Sequence, residues 1–571
     1  MASFLQECLF CLLPSVLLFL VFLALRRPRL RYWMKLAVRA ASWRLWTVIC
    51  LILELPLHRN TRIWSQEVKS TENDVFSGSN QMSNGRRFIC KPTALAKYLL
   101  QHCGSLASSK LAGWPRGDPH LQTLTSLLLW AQHTDTMQFT RDHLLLRDGG
   151  VVALDWAVGT RLGEEVSRKR WEVKKEHQSW RKVLGCFTST PPVLLLVPQS
   201  WGGMSPHLKL LCQQAMRQGF YVVVFHHRGT EGAPLATTRL TEFGDPADLE
   251  QAVSYVHSRH PSSVLLAVSE GSGSGALLSY LGEFGSSTHL TAAAAISPVL
   301  LGQLWLEQAM PPIYRWGALF HRKMQLSRYA DSLRGVMDVD RALGCSSLRD
   351  FEEALFCSSA QHQQGSSPSQ ESAQKLGSRT PGGLAPPVAW ALGERAFPAR
   401  NWESYWGRNE PLRDGDEVAV PVLCICSSDD PLLPPASTLP LSLFQSNPYF
   451  LLMLTDRGGH CGFRLEGPEQ SDDGRTLNGE EYGGVWSHTA VLEYFRVVAD
   501  FLKDGVRSGL SWKGPTDNSE ALQRSRTNAM TPPLPRRRRR GNMMRRLRAP
   551  EQSPVDEAEG GNFTWKRSYT R

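Results

Sequence analysis

The stretch that most constrains the fold runs from Val264 to Tyr280 and reads VLLAVSEGSGSGALLSY. Its first part, Val264 to Val268, has the length and composition of a buried strand. Its last part is the apolar start of a helix, and a turn rich in glycine and serine lies between the two. A strand, a tight turn and a helix in this order present a nucleophile on a strained turn in many enzymes of acyl transfer.

The turn lacks the serine that such a site requires. The usual motif is Gly-x-Ser-x-Gly, because larger side chains two positions away on either side would clash. None of Ser269, Ser272 and Ser274 is flanked by glycines at that spacing. Counted from the strand and the helix, the central position falls on Gly271. The sequence therefore predicts a nucleophile position without a hydroxyl, with Ser272 or Ser269 as displaced substitutes.

An acid and a base stand where such a site needs them. The chain order in these enzymes is nucleophile, acid, histidine. Two aspartates follow the predicted strand Pro421 to Ser427, and His460 follows the strand Tyr449 to Leu454 and two glycines. The pattern predicts Asp430 as the acid, with Asp429 as the alternative, and His460 as the base. A strand-end aspartate is also a common turn former, so the prediction rests on the order of all three elements.

Short apolar strands alternate with helical segments from Pro192 onward, which favours a mainly parallel sheet with helices on both faces. The other predicted elements are the strands Val193 to Pro198, Tyr221 to Phe225 and Ala292 to Ile296, the hairpin Arg141 to Trp156, and the helices Thr93 to Cys103, Asp248 to His257 and His488 to Leu502. Backbone N–H groups of Gln199 to Gly203, after the first of these strands, are candidate oxyanion donors. A plain turn fits that segment equally well.

The N-terminus contains a run of 17 uncharged residues, Leu9 to Leu25, at the short end of what spans a bilayer. Basic residues follow from Arg26, which predicts an N-terminal anchor with the domain in the cytosol, at a membrane of the endoplasmic reticulum type. A signal peptide, and hence secretion, is the alternative. A second apolar patch, Leu45 to Leu53, is predicted to lie in the membrane interface or to pack on the domain.

Composition divides the chain into segments. They are an anchor or signal segment at 1–35, a juxtamembrane and linker region at 36–110 with a polar linker from Ser65 to Gly85, an α/β domain at 111–510 with a low-complexity insertion at 358–387, and a basic disordered tail at 511–571. Eight arginines between Arg536 and Arg548 account for most of the net charge of +11. No aromatic residues interleave them, so nucleic acid is not a predicted partner. The scattered cysteines favour free buried thiols, and no cofactor or metal is predicted.

The chain resembles the α/β-hydrolase family that includes the bacterial YheT-like and plant EMB8-like esterases and their animal relatives. The residues that carry the resemblance, from about His120 to Leu502, are His120-Leu-Gln-Thr123, Asp148-Gly149, Leu154-Asp155-Trp156, His227-Arg-Gly229, Asp248-Leu249, Tyr280-Leu-Gly282, Pro421-Val-Leu423, Asp429-Asp-Pro431 and Gly459-His460. The resemblance implies the α/β-hydrolase fold. It carries the family's acid and base to Asp430 and His460, whereas the nucleophile position is Gly271.

Finer features are similar to a vertebrate branch of the family that is linked to lipid metabolism and to the restraint of lipolysis. They are the segments Ala267 to Gly273, Phe444 to Pro448, Arg457 to Phe463 and Trp565 to Arg571. The resemblance implies a membrane-associated regulator with weak or no hydrolase activity, whose partners are a lipid or acyl ester and a signalling protein. The alternative is an active carboxylester hydrolase that uses a shifted serine with Asp430 and His460.

Overall fold

A computed structural model describes residues 28–53, 55, 80–82, 86–107, 111–129, 137–158, 190–358, 395, 397–466 and 484–507. The predicted anchor run at 9–25, the basic tail and all but the first residue of the predicted insertion lie outside these ranges. Among the described helices, none combines the length and the apolar character that crossing a membrane requires.

Within the described ranges, ten strands form one sheet in the order β1-β2-β10-β9-β8-β7-β5-β6-β4-β3. The strands are β1 Asn80–Met82, β2 Arg86–Ile89, β3 Gln138–Leu145, β4 Val151–Val158, β5 Val193–Val197, β6 Tyr221–His226, β7 Leu265–Glu270, β8 Ala292–Ile296, β9 Val422–Ser427 and β10 Phe450–Thr455. Strands β5 to β10 pair in parallel, while β1 and β2 at one edge and β3 and β4 at the other pair antiparallel. The mainly parallel sheet that the alternating pattern predicts is confirmed.

Helices cover both faces of this sheet. The longer ones are α1 Pro28–Ile52, α2 Ala94–His102, α3 Pro119–Leu124, α4 Pro206–Arg217, α5 Ala247–Arg259, α6 Ser274–Phe284, α7 Pro312–Ser327, α8 Val339–Gly344, α9 Leu348–Phe356, α10 Trp402–Asn409, α11 Leu441–Ser446 and α12 Trp486–Arg507. Shorter helical turns are Gly104–Ala107, Thr125–Leu129, Gly271–Gly273, Gly285–Ser287, Gly302–Leu304, Trp305–Ala309, Ala330–Leu333, Gly415–Glu417 and Ala436–Thr438.

Two apolar layers hold the helices to the sheet. On one face Leu99 of α2, Leu211 of α4 and Tyr494 of α12 lie in one buried cluster. On the other face Val253 of α5 and Leu277 of α6 lie in a second cluster. Because the central strands are buried on both faces, their sequences read as uninterrupted apolar runs, which is why they are easy to recognise.

The α/β domain begins earlier in the chain than the sequence indicates. Strand β2 pairs with β10, and Leu95 and Leu99 of α2 belong to the core, whereas the sequence predicts a juxtamembrane and linker region at 36–110. Part of the predicted linker, Asn80–Met82, forms β1 at the edge of the sheet. Strands of three and four residues carry too short a pattern to be distinguished from a linker.

A helical cap lies between β8 and β9 in the chain. Its members α7 to α10 share a third apolar cluster that includes Trp305, Phe351 and Tyr405. Two described residues on either side of 359–394 lie side by side in the cap: the Ser358 N–H donates to the Ala399 carbonyl at 2.8 Å, and the Ala399 N–H donates to the Phe356 carbonyl at 2.8 Å.

Candidate functional site

The turn after β7 has the tight geometry of a nucleophile turn. Strand β7 continues through Glu270, two residues beyond its predicted end, and runs directly into the turn Gly271–Gly273 and then into α6. Gly271 has a φ of 50°, in the left-handed region that favours glycine. A Cβ atom on Gly273 would lie 2.1 Å from the carbonyl oxygen of Pro198. The turn therefore packs against the end of β5 so closely that only glycine fits.

Replacing Gly273 with alanine should lower the free energy of unfolding by about 3 kcal/mol, because the new methyl group must displace backbone. Gly407 in α10 is the matched control, since nothing lies within 4 Å of a Cβ atom there. Alanine at that helical position should raise stability by about 0.5–1 kcal/mol. Denaturant titration of both variants measures the difference, and equal effects at the two positions would contradict the close packing.

The structure brings Asp430 and His460 together. Asp430 Oδ2 lies 2.9 Å and Oδ1 lies 3.2 Å from His460 Nδ1. The loop that carries the histidine is fixed by α3 and the turn after it: the His460 N–H donates to Thr123 Oγ1 at 2.9 Å, and the Ser126 hydroxyl donates to the His460 carbonyl at 2.8 Å. Sequence reasoning did not assign a role to Thr123 or Ser126, although Thr123 ends one of the segments that carry the family resemblance.

Asp429, the alternative acid, contacts the backbone of the loop that carries the histidine. Its Oδ1 accepts the Gly459 N–H at 2.8 Å and the Ser427 hydroxyl, so it holds the loop that carries the histidine. Its Oδ2 has no hydrogen-bond partner among the described residues. Burial raises the pKa of Asp429 to about 7, although both hydrogen bonds act to lower it.

Gly271 occupies the position from which a side chain would reach the base. A Cβ atom built on Gly271 would lie 2.9 Å from His460 Nε2 and 3.5 Å from Gln199 Nε2. A serine here would direct its hydroxyl at the imidazole, as a nucleophile must. Glycine has only a hydrogen atom there, so residue 271 presents no hydroxyl to the imidazole.

The nearby serines direct their hydroxyls elsewhere. Ser272 Oγ accepts the Ser200 N–H at 3.1 Å. Ser269 lies inside β7, fully buried, and its hydroxyl has no hydrogen-bond partner in the described part of the chain. Ser274 Oγ accepts the Val299 N–H at 2.9 Å. Within the described residues, none of these three hydroxyls forms a hydrogen bond with His460.

The electrostatics of the site favour a charged histidine. Burial disfavours the imidazolium, but the Asp430 carboxylate outweighs burial and holds the pKa of His460 well above its ordinary value. The neighbouring Glu270 accepts the Ser205 hydroxyl at 2.7 Å and lies 3.5 Å from His207 Nδ1. Burial acts to raise the pKa of Glu270, yet the contact with His207 and the other partners lower it below its usual range. A carboxylate kept ionised beside the turn opposes a developing oxyanion.

The predicted oxyanion segment, Gln199 to Gly203, has two of its backbone donors already engaged. The Ser200 N–H donates to Ser272, and the Gly202 N–H donates to the Gln199 carbonyl at 2.8 Å. The Trp201 carbonyl accepts a hydrogen bond from Gln325 of α7, which ties this segment to the cap. Binding of an oxyanion to the Ser200 or the Gly202 N–H would require these contacts to rearrange.

Neither metal nor disulfide chemistry is built into the described part of the chain. No group of three or more His, Cys, Asp or Glu side chains there is arranged to hold a metal ion. The described cysteines are free, and most of them are buried in apolar surroundings.

A mainly parallel sheet, a glycine turn after β7 and an Asp–His pair after β9 and β10 together define an α/β-hydrolase. The chain belongs to this family. It is 39% identical to human Protein ABHD15 over 503 residues, and this match covers 87% of this chain and 88% of that protein. Phospholipase ABHD3 of Bos taurus is 26% identical over 344 residues, 59% of this chain and 69% of the relative. Embryogenesis-associated protein EMB8 of Picea glauca is 24% identical over 393 residues, 67% of this chain and 71% of the relative. No protein-family model matches the sequence.

Proposed function

We propose that this protein is a regulator in lipid metabolism that binds an acyl lipid and has weak or no hydrolase activity. The observation that carries the proposal is Gly271, whose missing side chain would stand 2.9 Å from His460 Nε2. Without a hydroxyl at this position the base has nothing to deprotonate in the usual way. Loss of one member of a catalytic triad leaves only the residual catalysis of binding and of the oxyanion donors.

The names of two relatives support an acyl ester as the ligand. One is Phospholipase ABHD3, and the other is the Saccharomyces cerevisiae Medium-chain fatty acid ethyl ester synthase/esterase 2, 26% identical over 316 residues. In this chain the retained His460 would offer an N–H donor, and Gln199 a second one, at the position that a nucleophile would fill. Both donors suit a carbonyl or carboxylate oxygen.

The N-terminal segment would hold the protein at a membrane with the domain in the cytosol. A signalling protein bound to that domain would act to restrain lipolysis. A stoichiometric partner captured from cells should then be retained by the Ser272→Ala and Ser269→Ala variants, because no serine chemistry is involved. Loss of the partner in either variant would argue for a catalytic role.

Recovery of bound lipid tests the proposed binding without turnover. The purified full chain is incubated with a medium-chain phospholipid or ethyl ester, separated from free lipid, and extracted. We expect an intact ester bound to the wild type and a reduced amount bound to His460→Gln. Release of many equivalents of free fatty acid by the wild type would contradict the proposal.

A second candidate function is hydrolysis by a shifted serine. The ordered pair of Asp430 and His460, 2.9 Å apart, favours it, because a binding protein has no evident need of a positioned base. Ser272 or Ser269 would have to turn toward His460, and a misplacement on the order of 1 Å already costs about 100-fold in rate. Ester release that disappears in one Ser→Ala variant and in His460→Ala would establish this alternative.

A further inference from the structure

Helix α7 of the cap presents an apolar face to the outside. Ile313, Trp316, Phe320 and Met324 are 41%, 68%, 56% and 42% exposed. Their spacing of three and four residues places them on one side of the helix. The rings of Trp316 and Phe320 stack with centroids 5.7 Å apart, so they form one continuous surface.

Among the described residues, the packing of the cap does not use this face. Leu319 and Leu326 point the other way and are buried in the apolar cluster of the cap. Arg322, on the same inner side, pairs with Glu352 at 2.7 Å. The four outward side chains are thus additional to what holds the helix in place, and an exposed apolar surface of this kind marks an interaction site.

Helix α1 adjoins α7 at one turn of the chain. Trp46 of α1 donates to Asp118 Oδ2 at 2.9 Å, and the Tyr314 hydroxyl of α7 lies 3.2 Å from His120 Nδ1. Asp118 Oδ1 also accepts the His120 N–H at the N-terminus of α3. Both α1 and α7 therefore contact the N-terminal turn of α3. The C-terminal part of α1 exposes further apolar residues: Trp43, Leu45, Val48, Leu51 and Ile52.

Both helices carry positive charge only. Neither contains an aspartate or a glutamate, whereas Arg44 of α1 and Lys323 of α7 are basic, the latter three residues from Phe320. Exposed tryptophan, phenylalanine and leucine beside uniformly positive charge is the pattern of helices that lie in the headgroup region of anionic membranes. The charge of this surface is thus complementary to acidic lipid headgroups.

We propose that the outer face of α7, with the adjoining end of α1, docks in the plane of an anionic lipid membrane. Gln325 of α7 hydrogen-bonds the Trp201 carbonyl, so α7 covers the segment beside the Gly271 turn. Docking would bring the candidate site next to the lipid from which an acyl ligand could enter. This inference rests on the surface of the cap and holds whether or not the site hydrolyses esters.

Hydrogen exchange of the full chain tests the docking surface directly. The protein is measured alone, with vesicles of phosphatidylcholine, and with vesicles that also contain phosphatidylserine. We expect a several-fold slowing of exchange in peptides that cover 312–327, only with the anionic vesicles, and its loss at high salt. The Trp316→Glu/Phe320→Glu variant should lose this slowing. The Leu145→Glu variant is the matched control, because Leu145 is 72% exposed on β3, outside the surface, and should keep it.

Because every variant retains residues 1–27, recruitment to vesicles by that segment is common to all of them. Binding to vesicles with unchanged exchange at 312–327 would overturn the proposal. Slowing at 312–327 that depends on protein concentration without vesicles would also overturn it, in favour of a second copy of the chain. Equal slowing in the Trp316→Glu/Phe320→Glu variant and in the wild type would also overturn the proposal. A Trp316→Ser/Phe320→Ser variant keeps the test available if the glutamates disturb folding.

Discussion

Replacing Gly271 with serine should convert this protein into a measurable ester hydrolase. The new Cβ atom would lie 2.9 Å from His460 Nε2, so the ring must move by a few tenths of an ångström, and it accepts the serine proton in its neutral form. Asp430 already orients the ring, and Gly273 already supplies the close approach that the motif needs. Removal of the serine from a working triad costs roughly 10⁶-fold in rate. We expect partial recovery, about 100-fold or more in kcat/KM over the wild type, because Glu270 and the engaged donors of Gln199 to Gly203 are not adjusted for an oxyanion.

Two further variants isolate the contribution of the hydroxyl. Gly271→Ala imposes the same strained backbone, roughly 1–2 kcal/mol, without a nucleophile and should gain no activity. Gly271→Ser/His460→Gln has the nucleophile without its base and should lose most of the gain. Rates are compared on one medium-chain ester with equal amounts of folded protein. Equal activity of the Gly271→Ser and Gly271→Ala variants would show that Gly271 is not the nucleophile position.

Stability should depend on pH through Asp429. Burial raises the pKa of this carboxyl to about 7, above its ordinary value of about 3.9. Between about pH 4 and pH 7 the folded protein therefore keeps a proton that the unfolded chain has released, and stability falls as the pH rises. Relative to Asp429→Asn, the wild type should lose on the order of 4 kcal/mol in the free energy of unfolding across this range.

Denaturant titration of the two proteins at a series of pH values measures that loss. The difference between them cancels the contributions of all other groups, which change with pH in both. Ser427→Ala supplies a directional control, because it removes a hydroxyl that donates to the carboxylate and should extend the decline to higher pH. A difference between wild type and Asp429→Asn that stays constant with pH would contradict the assignment.

The sheet could be predicted from the sequence where burial on both faces leaves a continuous apolar run. Strands such as β5 and β8 follow this rule along their whole length. Strand β7 extends two residues beyond its predicted end, because Ser269 and Glu270 are polar and yet buried. The carboxylate of Glu270 is accommodated by Ser205 and His207, which come from a distant segment. The polar residues at the end of this central strand lie at the candidate site. An apolar pattern cannot show where such a strand ends.

The candidate site was predictable in part. Gly271 follows from counting positions in the turn, but the choice between Asp429 and Asp430 depends on which carboxylate reaches His460. Both aspartates follow the same strand, so the sequence does not show which carboxylate reaches the histidine. In the folded protein Asp430 contacts His460 Nδ1, whereas Asp429 accepts the Gly459 N–H. The groups that fix the histidine backbone could not be found, because Thr123 is 337 residues away in the chain.

The exposure of the apolar face of α7 could not be predicted from the sequence for a different reason. The helix has apolar residues on both sides, Leu319 and Leu326 inside and Trp316 and Phe320 outside, so periodicity does not show which side is buried. The distinction needs the packed cap.

Labelling with a fluorophosphonate probe tests the central claim most directly, because the probe reacts with serines that a neighbouring base activates. Wild type is compared with Ser272→Ala, Ser269→Ala and His460→Ala, and Gly271→Ser serves as the positive control. A glycine at the nucleophile position predicts no labelling of folded wild type and clear labelling of Gly271→Ser. Labelling of the wild type that is lost in one of the serine variants and in His460→Ala would contradict the claim and establish a shifted nucleophile.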